Sequence, residues 1–122
     1  MISIVTKWWH VEGKREEAIT ALRELVLQTE KYEPDTYMYC LHTSIVEGSL
    51  PPPTDNEIIF LGAWKDRQAF DDHRTGPVFT NWLEANLDLF VQNGGSLYVS
   101  AEFADRFAGF IRPEAVCPET AR

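Results

Sequence analysis

His73 stands in the stretch AWKDRQAFDDHRTGPVFTNWL, residues 63–83, four residues after Ala69 and three after Phe70. On a helix that spacing puts the imidazole on the apolar face. There it is either a core histidine satisfied by a backbone carbonyl or a pocket histidine, since an imidazole can take up a proton at neutral pH. Trp64 closes the apolar run before it, and its indole N–H needs a partner if buried, in a core or in a pocket wall. Asn86 is the polar member of an otherwise apolar stripe with Phe79, Trp82, Leu83, Leu87 and Phe90. It could cap a void, hold a water or orient a ligand. Tyr37 and Tyr39 stand two apart, so a strand shows them on one face, where a phenol donates to a substrate oxygen or to a carbonyl. His42 falls on the opposite face with Met38 and Cys40. His10 shares Trp8's face near a strand end, where solvent would reach it.

Other chemistries lack their motifs. The chain has no GxSxG, no phosphate loop, no nucleotide glycine fingerprint and no CxxC or HExxH metal spacing. Neither a metal nor a cofactor is expected. Eleven basic against nineteen acidic residues leave a net charge of −8, which opposes nucleic-acid and anionic-membrane partners. No apolar run approaches the ~20 residues that span a bilayer. The N-terminal MISIVTKWWHVEGK has neither a basic n-region nor a small-residue cleavage site, so no signal peptide is expected. Cys40 and Cys117 read as two reduced thiols in the cytosol. With 122 residues, 44% of them hydrophobic, the chain suits one compact domain with a real core.

Four strands and two helical regions must position these side chains. Residues 2–11 and 36–46 are β-branched and aromatic-rich and read as strands, as does EIIFLGAWK, residues 57–65. Trp8 and Trp9 must point to opposite sheet faces. Between the first two strands, Ala18, Leu22, Leu25, Val26 and Thr29 recur with helical spacing opposite a charged face. Pro34 ends that helix, because the residue before a proline avoids the helical region. The loop EGSLPPPTDN follows strand two. Asp66 can cap a short helix over 67–74, Gly76 can stop it, and Pro77 suits the first turn of a helix running to about residue 91. Asn93-Gly94-Gly95 makes a turn before a fourth strand, 96–103. The order β-α-β-β-α-β is the ferredoxin-like α+β pattern, with a four-stranded antiparallel sheet. Both faces of the third strand are apolar, so both need covering. The helices cover one, and a second subunit is expected on the other. A domain over 1–103 and a poorly patterned extension over 104–122 are expected, with Phe107, Phe110 and Ile111 able to pack on a neighbouring subunit.

Residues 2–14, then EPDTYMY, then FLGAWKDRQAFDDHRTGPVF resemble the antibiotic biosynthesis monooxygenase family. The likeness spans about residues 2–103. It implies a ferredoxin-like subunit whose sheets face each other in a homodimer, a dimeric α+β barrel. It also implies cofactor-free oxidation of a small aromatic, quinol- or polyketide-like molecule by O2. In that chemistry His73 would accept the proton, and the Trp64 N–H and Tyr39 O–H would hold the substrate's oxygen anion. Trp8, Phe60, Phe70, Phe79 and Trp82 would wall the pocket, with Asn86 as a further ligand contact. Some family positions differ. Asp35-Thr36 stands for the usual Gly-Cys, Gly62 for a frequent glutamate and Val78 for a frequent second histidine. Phe60 and Phe70 replace the asparagine and tyrosine of anthrone-oxidising members. The Asn-Trp-His set of the haem-degrading branch falls on Thr6, His73 and Leu83, which argues against haem degradation. The alternative is a dimeric module that binds or isomerises a small molecule without oxygen chemistry.

Overall fold

A computed structural model describes residues 1–116. Alternating apolar residues build three long antiparallel strands: β1 (Ile2–Trp9), β2 (Thr36–Thr43) and β3 (Glu57–Trp64). Helix α1 (Arg15–Tyr32) links β1 to β2. After β3 come α2 (Arg67–Thr75) and α3 (Pro77–Asn86), then a 3-10 turn over Leu87–Leu89. A two-residue hairpin pairs β4 (Gln92–Asn93) with β5 (Ser96–Leu97), and β6 (Ser100–Ala104) completes the main sheet. The sheet order is β2-β3-β1-β6, all antiparallel, which is the ferredoxin-like arrangement.

The register decides which face each side chain takes. Ile4 lies opposite Gly62 and Trp8 opposite Ile58, so these residues share a face with Phe60 and Trp64. The helices cover that face. Ala18, Leu22, Leu25 and Thr29 of α1 are buried, as the helical spacing predicts. Ala18, Leu22 and Leu25 join Trp8, Ile58, Phe60, Trp82 and Phe90 in one cluster, while Ile4, Trp64 and Ala69 form a smaller one beside it. Each buried leucine, isoleucine or phenylalanine among them contributes about 1.5–3 kcal/mol by leaving water.

Several boundaries differ from the sequence reading. Strand β2 stops at Thr43 rather than 46, and a bulge between Thr36 and Met38 shifts its register. The extra residue is Tyr37, which is 56% exposed, whereas Tyr39 packs against both clusters. The helix expected to reach residue 91 ends at Asn86, because Phe90 leaves it to bridge to His10. That bridge buries His10 to 5% exposure, against the solvated position expected of it. The expected strand 96–103 divides into β5 and β6. Gly94 and Gly95 form the hairpin turn with positive φ at both, a conformation that suits glycine. Cys40 lies half-buried on β2, and Cys117 lies outside the described residues.

The opposite sheet face has no helix on it. Val5 and Leu61 are 37% and 36% exposed there, on neighbouring strands. On the same face Lys7 Nζ lies 3.2 Å from Glu57 Oε1, and Ser44 Oγ donates to Glu57 Oε2 at 2.5 Å. Beyond β6, residues 105–116 are exposed.

Candidate functional site

The site begins where α1 ends. Pro34 forces Glu33 out of helical geometry, at φ −125 and ψ 75, and its N–H donates to the carbonyl of Thr29. That turn throws the Glu33 carboxylate toward α2. His73 comes to meet it from the last turn of α2, whose start is fixed by Asp66 accepting from the Ala69 N–H at 2.8 Å. His73 Nδ1 donates to Glu33 Oε1 at 2.5 Å. The side chains are 7% and 17% exposed, so water competes little for the bond. A carboxylate can only accept, which places a proton on Nδ1; in the neutral ring Nε2 is then the acceptor. Thr36 Oγ1 also donates to Glu33 Oε1, at 3.4 Å.

Aromatic rings surround the imidazole. Tyr39 and Trp64 have ring centroids 5.3 Å from it, Phe79 5.8 Å and Phe70 6.3 Å. Burial, with the Glu33 carboxylate as a second cause, pushes the Tyr39 phenol well above its ordinary value. It therefore stays protonated and can only act as a neutral hydroxyl. The indole N–H of Trp64 is buried with no hydrogen-bond partner. An unpaired buried donor costs about 1–3 kcal/mol and is a ready contact for an oxygen atom. Trp64 folds back over Gly62: a Cβ there would lie 2.3 Å from its Cη2. The glycine at the family's glutamate position thus makes room for the indole.

His73 also lines a groove of about 780 Å³ between the second half of α1, the α2–α3 junction and α3. Tyr32, Pro34, Pro77, Val78, Trp82 and Asn86 contribute to its walls. This size is in the range of small-molecule sites. The structure gathers Trp64, Tyr39, Phe70 and Phe79 round the imidazole, but of these five residues it is His73 that lines the groove. Trp82 and Asn86 reach the groove but also have framework bonds. Trp82 Nε1 donates to the carbonyl of Ala21 at 2.7 Å, and Asn86 Nδ2 to the carbonyl of Trp82 at 2.8 Å. Trp8 and Phe60 lie behind, with centroids 4.3 Å apart, inside the packed core. Among the described residues no group of three His, Cys, Asp or Glu side chains could hold a metal ion.

Sequence reading missed Glu33. In the sequence it marks only the end of a helix, because its partner lies forty residues away. Its sole local signal was its place at the head of EPDTYMY, the segment that carries the family likeness.

The antibiotic biosynthesis monooxygenase family model matches residues 1–85. The chain belongs to the antibiotic biosynthesis monooxygenase family. No curated protein matches it. Solved structures share the fold. A candidate antibiotic biosynthesis monooxygenase of Caulobacter crescentus superposes with a TM-score of 0.71 at 16% identity, over 88% of this chain and 90% of that one. Another, from Nitrosomonas europaea, gives 0.69 at 14% identity, over 88% and 100%. Rv0793 from Mycobacterium tuberculosis gives 0.67 at 16% identity, over 88% and 96%. At these identities the likeness establishes the fold. The matched region of the antibiotic biosynthesis monooxygenase domain contains Glu33, Tyr39, Trp64 and His73, so the whole buried pair lies within it.

Proposed function

We propose that this chain is a cofactor-independent monooxygenase that oxidises a small, electron-rich aromatic molecule of quinol or polyketide type with O2. The buried His73–Glu33 pair at the wall of the groove carries the reading. With Nδ1 tied to Glu33, Nε2 is free to take a proton from the substrate's hydroxyl or acidic C–H. The Glu33 carboxylate then stabilises the imidazolium. The Trp64 N–H and the neutral Tyr39 hydroxyl are the donors for the oxygen anion formed. That anion passes one electron to O2, and the resulting radical and superoxide combine. Loss of water leaves one oxygen atom in the product, so a CH2 group with O2 gives C=O and H2O. Phe70 and Phe79 keep water from the reacting pair.

The active unit in this proposal is a homodimer in the cytosol, with the bare sheet face carrying Val5 and Leu61 turned to a second copy. Residues 1–103 make the domain and 104–122 an extension. The partners are the aromatic substrate and O2, without nucleic acid, membrane, metal or bound cofactor. Among the described residues no helix is long and apolar enough to cross a membrane.

One observation favours a second reading, a module that binds or isomerises a small molecule without oxygen. Trp8, Phe60, Phe79 and Trp82 fill the layer between helices and sheet with mutual ring contacts. The test is O2 uptake by the pure, metal-free protein with anthrone- and quinol-type substrates. Uptake that falls on His73→Ala supports the oxygenase. No uptake with any substrate, alongside ligand-induced thermal stabilisation, supports the second reading.

A further inference from the structure

Of the polar groups in the proposed reaction, His73 and Glu33 line the groove, whereas Trp64 and Tyr39 do not. Trp64 is 3% exposed, and its N–H is buried without a partner. The His73 ring borders the groove and lies 5.3 Å from both the Trp64 and the Tyr39 rings. The Glu33–His73 pair therefore stands between the groove and the two donors for the oxygen anion. A substrate oxygen cannot meet His73 Nε2, the Trp64 N–H and the Tyr39 hydroxyl together while the pair and its helix stay in place.

Helix α2 is the element that can move. It buries two side chains, the small Ala69 and the polar His73, whereas α1 buries four. Phe70 is half-buried, with its ring against Trp64 and Phe103. Most of its bonds close on the helix or its own cap: Gln68 to Asp72, Thr75 to the carbonyl of Asp71, and the Ala69 N–H to Asp66. His73 to Glu33 reaches out of it, to the turn that ends α1. A segment with few buried apolar contacts opens at lower free energy than the core around it. Asp66 and Gly76, both in extended geometry, flank the helix, and such terminal residues can absorb a hinge rotation. We infer that α2 is a lid, latched by the Glu33–His73 bond, that swings from the sheet to admit substrate to the Trp64 and Tyr39 donors and then closes over it. The inference rests on the reading that these residues act on the substrate. Closure returns His73 Nδ1 to Glu33 and shuts water out of the reacting pair.

Hydrogen exchange of the full chain tests it by NMR, read at the backbone amides and at the Trp64 indole N–H. In the wild type the indole should share the protection of the α2 amides, at least about tenfold below that of β1 and β3. Glu33→Gln should lower protection of α2 and of the indole by about tenfold or more. Ile58→Val, in the core away from α2, should lower protection of β1 and β3 by about threefold or more and leave α2 and the indole unmoved. Wild-type protection of the indole equal to that of β1 and β3, no change in Glu33→Gln, or an equal effect of Ile58→Val on the indole would each overturn the lid. The two readings can fail separately. Local opening of α2 without O2 uptake would sink the oxygenase and spare the lid. His73-dependent uptake with an indole released only by global unfolding would do the reverse.

Discussion

Glu33 and His73 meet across forty residues, and the identity of each constrains what the other can do. His73→Ala removes the proton acceptor, and kcat for O2 uptake should fall by about 10²–10⁴-fold. Glu33→Gln keeps the shape but removes the charge and allows the other tautomer. Its kcat should fall by on the order of 10²-fold with KM little changed, a split that steady-state kinetics resolves. Tyr39 makes a pH prediction. Its phenol is raised in the folded chain, so the folded state keeps a proton that the unfolded chain gives up above its ordinary value of 10.0. Stability should therefore hold below about 10 and fall as pH rises beyond it. Urea midpoints measured across ~8 to ~11 should show this decline flattened in Tyr39→Phe. Gly62→Ala would drive a Cβ into the Trp64 ring and cost about 1–3 kcal/mol, with a changed near-UV signal from the displaced indole. His73, Trp64 and Tyr39 were legible as chemical residues from type and spacing. Glu33 was not, because a hydrogen bond between a capping turn and a distant helix leaves no periodic trace.

Helix α2 has nine residues and a single strong cap, so its ends matter more than its middle. Asp66→Ala should cost about 1 kcal/mol in denaturant melts, through loss of the bond to the Ala69 N–H. Gly76→Ala should cost more. Gly76 has φ −77, so its freedom to adopt positive φ is not what the fold uses. An added Cβ would lie 2.6 Å from the carbonyl oxygen of Asp72, and backbone on both sides cannot yield. Both variants should lower activity as well, since the same helix carries His73. Elements with steady periodicity, β1, α1 and β3, were read close to their observed limits. The second helical region and the last strand were not. Phe90 continues the apolar stripe but is drawn off by its bridge to His10, and a two-residue hairpin interrupts the final strand. Pairing with a remote strand outweighed local pattern in both places. The bulge at Tyr37 is the same kind of event, and it leaves Tyr37 exposed while Tyr39 packs inside.

At the scale of the molecule, one sheet face is sealed by three helices and the other is open. Val5 and Leu61 lie opposite each other on that open face, beside a Lys7–Glu57 pair. The protein should sediment as a dimer, and Leu61→Glu should sediment as a monomer that retains its helical circular dichroism. A dimer unaffected by Leu61→Glu would place the interface elsewhere. The need to cover this face was legible in the doubly apolar β3, because a strand with one solvated face alternates with polar residues.

The sequence by itself determined the element order, the α+β class, the inward face of α1 and the resemblance that places the chain in its family. These follow from hydrophobic periodicity and short-range stops and caps, which act within a few residues. Only the tertiary structure decided that Glu33 holds His73, that Tyr39 turns inward while Tyr37 does not, and that His10 is buried. It also placed His73 on the wall of the groove while leaving the Trp64 N–H buried away from it. Each of these depends on register or on contact between segments far apart in the chain, where a one-residue bulge changes the outcome and local pattern carries no information.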